Sequence, residues 1–273
     1  MRYGYFDDAR AEYVIERPDT PMSWINYLGT ADYCGIISNN ASGYAFYRSA
    51  KTGRLLRFRF NSIPMDRPGR YIYLRDNADG DYWSATWQPV GKPLDRYRTI
   101  CRHGMGYTRF ESEYAGIRTN YRVFVPIDRP LELWEVEVEN LSGRERDLSL
   151  FTYAEWCFWR MDQDLSNFQY ILYTCRMGYA DGIIDYTLRW PGGEEDKGFM
   201  ASILPVESFD TDREVFIGDY RHEGNPIAVE RGSCAGSIAI GGNACGALQN
   251  RFTLAPGDRK STRLNSSHSL ISR

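Results

Sequence analysis

From Trp134 to Glu139, apolar and acidic residues alternate one for one: Trp134, Val136 and Val138 against Glu135, Glu137 and Glu139. Only an extended strand sends successive side chains to opposite faces, so this stretch predicts a half-buried β-strand. Other strand signals surround it. Tyr71 to Arg75 and Tyr82 to Thr86 flank Asn77-Ala-Asp-Gly80, and Phe110 to Tyr114 and Ile117 to Val125 flank Ala115-Gly116, which predicts two hairpins. Asn140-Leu-Ser-Gly143 turns the chain into Leu148 to Trp159, apolar on both faces as in a central strand covered on each side. Further strands are expected at Gly182 to Trp190, Gly198 to Leu204, Glu214 to Gly218, Ser237 to Ile240 and Leu248 to Leu254. No amphipathic helix of three turns is evident, and Thr211 to Phe216 reads as a short turn at most. The expectation is a single all-β domain, a large antiparallel sandwich.

The pattern changes near the end. Leu248 to Leu254 and the turn Ala255-Pro256-Gly257-Asp258 should lead into a partner strand, yet Lys260 to Arg273 carries five serines, no aromatic residue and no apolar alternation. Residues 1–258 are therefore read as the domain, truncated at its C-terminal end, and 259–273 as a non-native or disordered tail. A sandwich missing its last strand would expose an unpaired edge, so poor solubility is expected of the isolated chain.

A net charge of −3 gives no electrostatic footing on nucleic acid or anionic membrane. The acidic N-terminus lacks an apolar signal core and no run is long enough to span a bilayer, which predicts a cytoplasmic protein. Its six cysteines are scattered, without CxxC pairing, and read as reduced, buried small residues. The three histidines share no ligand spacing with cysteine or carboxylate, and phosphate-loop, dinucleotide and GxSxG motifs are absent. Aromatic residues reach 15%, with 20 Tyr and 7 Trp. Their flat apolar faces and polar edges suit sugar recognition, and equally the core of a large sandwich, the commoner use.

The densest polar constellation is Trp156 to Tyr170 (WCFWRMDQDLSNFQY), in which Arg160, Asp162, Gln163, Asp164, Asn167 and Gln169 lie among aromatics. Amides and carboxylates can hold sugar hydroxyls while an aromatic ring covers the C–H face. The bland alternative, favoured on composition, is a loop spending Asp and Asn on its own turns. Asp162 and Asp164 could also serve as a glycosidase acid/base pair, but their closeness in sequence makes that a weak signal. The mixed charges of Glu207 to Asn225 read as a solvated loop, and Pro18 to Leu28 (PDTPMSWINYL) as tight packing.

Gly4 to Asp8, Tyr13 to Leu28 (YVIERPDTPMSWINYL), Cys34 to Phe46 (CGIISNNASGYAF), Gly69 to Asp76 (GRYIYLRD), Trp83 to Val90 (WSATWQPV) and Tyr153 to Gln169 form one set. Together they resemble the N-terminal domain of cellobiose-phosphorylase-type enzymes, glycoside hydrolase family 94, formerly glycosyltransferase family 36. The resemblance runs from about Arg2 to Asp258. It implies a super-β-sandwich of the galactose-mutarotase-like kind, followed in the family by a helical linker and an (α/α) six-fold barrel that carries the catalytic aspartate. It implies no catalytic residue in this chain, and an inverting phosphorolysis of a β-glucoside to α-glucose 1-phosphate. Inorganic phosphate would be the co-substrate, with no metal, nucleotide or organic cofactor. A homodimer is implied as well. At Asn167-Phe-Gln-Tyr170 the family places a Gln-Arg pair beside the acceptor sugar. Gln169 matches the glutamine, while Tyr170 stands where the arginine would be, which removes the basis for naming cellobiose itself. Gln169, Tyr170 and Asp164 are the expected substrate-binding residues. No metal site is expected.

Two other readings stay open. In one, the chain is a free-standing carbohydrate-binding sandwich, marked by binding without turnover. In the other it is a mutarotase-like epimerase, marked by anomer interconversion, against which the sparse histidines count.

Overall fold

In the computed structural model, residues 2–59, 66–166, 175–190, 192–193 and 195–268 are described. Eight short strands come first: β1 (Gly4–Asp7), β2 (Glu12–Ile15), β3 (Ile25–Gly29), β4 (Tyr33–Ser38), β5 (Ala45–Tyr47), β6 (Arg54–Leu56), β7 (Tyr71–Asp76) and β8 (Tyr82–Ser84). Longer ones follow: β9 (Arg98–Gly104), β10 (Tyr107–Tyr114), β11 (Ile117–Phe124), β12 (Leu131–Asn140) and β13 (Arg146–Trp159). The remainder are helix α1 (Met161–Ser166), β14 (Cys175–Ala180), β15 (Ile183–Arg189), β16 (Glu195–Ser202), β17 (Ser208–Asp212), helices α2 (Arg213–Ile217) and α3 (Ile227–Arg231), β18 (Ala244–Leu254) and β19 (Arg259–His268).

These strands form two sheets, antiparallel in all of the strand pairs described. The first has ten strands in the order β1-β2-β9-β10-β11-β12-β19-β16-β15-β14. The second has nine, running β17-β18-β13-β6-β5-β4-β3, with β7 and β8 branching from β13. The 14-residue β13 explains the branch. One flank pairs with β18; the other pairs with β7 from Leu148 to Tyr153, then with β6 from Trp156 onward. Its two apolar faces are both used, as the sequence predicts. Leu148, Leu150, Ala154 and Trp156 face the core between the sheets, and Phe151 and Tyr153 join a second cluster under α2 and α3 with Tyr71, Tyr73 and Phe216. The aromatic surplus is spent on packing: Trp83, Trp134, Trp156 and seven tyrosines are fully buried.

In β12 the predicted alternation holds. Trp134, Val136 and Val138 are buried, while Glu135, Glu137 and Glu139 face outward against Arg122, Arg263, Arg259 and Arg118. Both predicted hairpins form. Between β10 and β11 the turn needs Ala115 and Gly116 at φ 50° and 77°, conformations that glycine takes freely.

The expectation that no strand follows Asp258 is overturned. Arg259 to His268 is β19, and it lies between β12 and β16 in the middle of the ten-stranded sheet. Its nearly uniform polar composition hid it. A strand paired on both flanks is held by its backbone ladder, and here Arg259 and Arg263 add ion pairs to the outward glutamates of β12. The unpaired edge expected there is therefore absent, and the sheet ends on β1 and β14. Two smaller expectations also change. Glu214 to Gly218 lies largely in helix α2, because the Asp212 side chain accepts from the backbone N–H of Glu214 and Val215 and caps it. Ser237 and Ile240 make isolated bridges instead of a strand. All six cysteines are free, and no described helix is long and apolar enough to cross a membrane.

Candidate functional site

The second half of β13 carries a buried ion network. Glu155 is in phase with Phe151 and Tyr153, so the strand turns a carboxylate onto the aromatic outer face of the nine-stranded sheet. That carboxylate is fully buried and surrounded by guanidinium groups. Its Oε1 accepts from Arg213 Nε at 2.8 Å and from the Tyr153 hydroxyl at 2.9 Å. Its Oε2 lies 3.6 Å from Arg57 and 3.5 Å from Arg59. Burial alone would raise the Glu155 carboxyl, but the charges of Arg213, Arg57 and Arg59 outweigh it and hold the group below the usual carboxylate range.

The network continues beneath the helices. Arg213 donates to Glu223 at 2.9 Å, and Glu223 faces Arg67 at 3.5 Å. Arg67 in turn reaches Gln88, the Pro89 carbonyl and His222 Nδ1. The Tyr73 hydroxyl donates to the Glu223 carbonyl. The stretch Glu207 to Asn225 is thus not a solvated loop. Asp210 and Thr211 are fully buried, and the Asp210 carboxylate accepts from the backbone of Ala235 and Ser237. Charges that look like loop polarity are paired ions that clamp α2 to the sheet.

The sequence-predicted site lies just beyond. β13 runs into α1, which Met161 ties to β6's approach through a hydrogen bond to the Lys51 carbonyl. Asp162 is exposed and ion-paired to Lys51 at 3.1 Å, the setting of a surface charge pair, not of a buried general acid. Asp164 lies within α1, and its side chain falls outside the described residues, as do Gln169 and Tyr170 altogether. Arg160 stacks over Trp190 with 4.4 Å between guanidinium carbon and ring centroid.

Chemically this face positions rather than reacts. A carboxylate saturated by three arginines and a tyrosine neither gives nor takes a proton near neutrality. Among the described residues no group of three or more His, Cys, Asp and Glu is placed to hold a metal. Sequence reasoning missed Glu155, Arg57, Arg213 and Glu223 because they are far apart along the chain. One signal was present: Glu155 interrupts the apolar run Leu150 to Trp159 at the phase of Phe151 and Tyr153.

Two large antiparallel sheets in this order, with helices α2 and α3 against one outer face, define a supersandwich domain. The chain belongs to the glycosyl hydrolase 94 family: residues 11–264 match its supersandwich-domain model. Two relatives are N,N'-diacetylchitobiose phosphorylases. That of Vibrio proteolyticus is 44% identical over 94% of this chain and 32% of its own length, and that of Vibrio furnissii is 44% identical over 95% and 32%. A solabiose phosphorylase of Paenibacillus borealis is 31% identical over 94% of this chain and 33% of its own. The chain thus spans about a third of the length of these relatives. Among solved structures, one described as a kojibiose phosphorylase from the human microbiome covers 98% of this chain and 33% of its own at a TM-score of 0.51 and 11% identity, a likeness of fold alone.

Proposed function

We propose that this chain is the N-terminal, substrate-positioning domain of an inverting phosphorylase of β-linked disaccharides. The observation that carries the reading is the 44% identity, sustained over 94% of the chain, with the N,N'-diacetylchitobiose phosphorylase of Vibrio proteolyticus. In the proposed reaction a phosphate oxygen attacks the anomeric carbon of the donor sugar. The bond from that carbon to the acceptor oxygen breaks, and an aspartic acid outside this chain protonates the departing oxygen. Inversion converts the β-glycoside to an α-sugar 1-phosphate. Phosphate is the co-substrate and no metal or organic cofactor takes part. The polypeptide works in the cytoplasm as a homodimer.

Within this scheme the Glu155 network holds the base of the segment after β13 rigid. Gln169, Tyr170 and Asp164 in that segment then meet the acceptor sugar. The general family resemblance makes glucose the donor and α-glucose 1-phosphate the product. The higher identity to the two Vibrio enzymes favours N-acetylglucosamine in that place, with its α-1-phosphate as product.

The test expresses the complete reading frame that contains this chain and supplies phosphate with N,N'-diacetylchitobiose or cellobiose. Phosphate-dependent cleavage, with an α-1-phosphate visible by proton and phosphorus NMR, is expected. Cleavage without phosphate, anomer interconversion alone, or a β-1-phosphate would overturn the reading. In the reverse reaction Gln169→Ala should raise KM for the acceptor and leave that for the sugar phosphate unchanged.

A further inference from the structure

Three of the sequence stretches that carry the family resemblance meet at one small cavity whose chemistry the Glu155 network does not explain. Pro18 to Ser23, Asn40, and Trp87 with Gln88 line a space of about 270 Å³, completed by Asp66. Asn40 is the informative residue. It is 8% exposed, its amide nitrogen donates to the Pro18 carbonyl at 3.0 Å, and its Oδ1 has no partner among the described residues. A buried acceptor left unpaired costs about 1–3 kcal/mol, a cost that a donor entering from the cavity would remove.

The rest of the lining says what that donor belongs to. Asp66 accepts from the hydroxyls of Ser38 and Ser42 and has no cationic partner among the described residues. Its charge disfavours phosphate and other anions, whereas Asp19, also on the wall, is already paired with Arg17 at 2.5 Å. The Gln88 side-chain oxygen is taken by Arg67, while its Nε2 makes no hydrogen bond to a described residue. Trp87 offers a half-buried indole, fixed by its Nε1–H to the Lys92 carbonyl, and Met22 stands exposed on the rim. Acceptors, one free amide donor and an aromatic edge together suit a neutral polyol ring.

We infer that this cavity is a saccharide-binding subsite for one neutral hexose or N-acetylhexosamine unit, read by Asn40, Asp66 and Gln88. The choice of a saccharide among neutral, donor-rich ligands rests on the phosphorylase reading. Through Gln88 and Arg67 the subsite is continuous with the Glu223–Arg213–Glu155 chain, so occupancy would stiffen that network.

Saturation-transfer NMR on the 273-residue chain with glucose, N-acetylglucosamine and glucosamine tests this. Saturable binding of a neutral sugar is expected, weakened about tenfold or more in Asn40→Ala by loss of one buried hydrogen bond. Ser23→Trp fills the cavity from its rim without removing a core residue, and should abolish binding even if Asn40→Ala fails to fold. No binding of either neutral sugar, binding unchanged in Ser23→Trp, or tighter binding of cationic glucosamine would overturn the inference. Sugar binding here together with absent phosphorolysis in the complete polypeptide would support the subsite and sink only the phosphorylase reading.

Discussion

Arg70 and Glu132 face each other with no solvent exposure on either side, joining the approach to β7 in one sheet to β12 in the other. The contact is bidentate, at 2.5 and 3.0 Å; Arg70 also reaches the Ile36 and Tyr44 carbonyls, and Trp134 Nε1 donates to Glu132. Burial pushes the guanidinium toward losing its proton, and Glu132 more than restores it. Glu132→Gln or Arg70→Met should each destabilise the domain by roughly 3–5 kcal/mol in urea titrations, because each leaves a buried polar group uncompensated. The double replacement Arg70→Met with Glu132→Leu should cost less than either single change. A larger, additive loss would show that the pair itself, not the orphaned charge, supplies the stability.

Glu155 should give the domain an acid-labile seam. Its carboxyl sits below the ordinary 4.5, so the folded state favours the ionised form. The stability it contributes is present above pH 4.5 and is lost as pH falls below that value through the folded pKa. Glu155→Gln should flatten this slope and destabilise the protein at pH 7 by about 3–5 kcal/mol, since Arg57 and Arg213 would be left facing each other. Calorimetric melts between pH 3 and pH 7 read both effects.

His103 works in a different window. Its Nε2 lies 3.1 Å from the Trp24 carbonyl and its Nδ1 3.0 Å from the Thr108 hydroxyl, an arrangement suited to the neutral ring. Burial lowers its pKa to about 4 from 6.5, against the smaller opposing pull of the Trp24 carbonyl. Between those values the unfolded chain binds the extra proton, so stability falls as pH drops from 6.5 toward 4, by roughly 2–3 kcal/mol over the full range. His103→Gln should remove that slope while leaving the steeper loss below pH 4.5. An unchanged slope in the variant would place the titration elsewhere.

Ending the chain at Asp258 should abolish cooperative unfolding. It would strip β12 and β16 of their common neighbour and open two ladders in the middle of a sheet. Light scattering and a melt of the shortened chain decide the matter: a monodisperse monomer with a sharp transition would show that β19 is dispensable.

Much of this architecture was legible because alternation is a local property. β7, β10, β11, β12, β13, β15 and β18 declare themselves through side chains that must choose a face. The short β3 to β6 and the polar β19 do not, since their strandedness comes from neighbours distant in sequence. The site divides in the same way. Gln169, Tyr170 and Asp164 came from resemblance, and the described residues neither assemble nor separate them. Glu155, Arg213 and Arg67 escaped notice because an ion network is a fact of three dimensions. Only the acid in an apolar run, at Glu155 and again at Glu132, betrays such a network in one dimension.

The position of β19 also bears on how the molecule is made. Glu139 pairs with Arg259, 120 residues later, so β12 leaves the ribosome long before the strand it needs exists. At about 5–20 residues per second, that interval is roughly 6–24 s. During it, two half-sheets, β1 to β12 on one side and β14 to β16 on the other, must each keep a hydrogen-bonding edge unsatisfied without pairing with each other or with a neighbouring nascent chain. Synthesis speed through residues 140–258, and whatever chaperone shelters the waiting edge of β12, would then govern yield in the cell more than the stability of the finished fold.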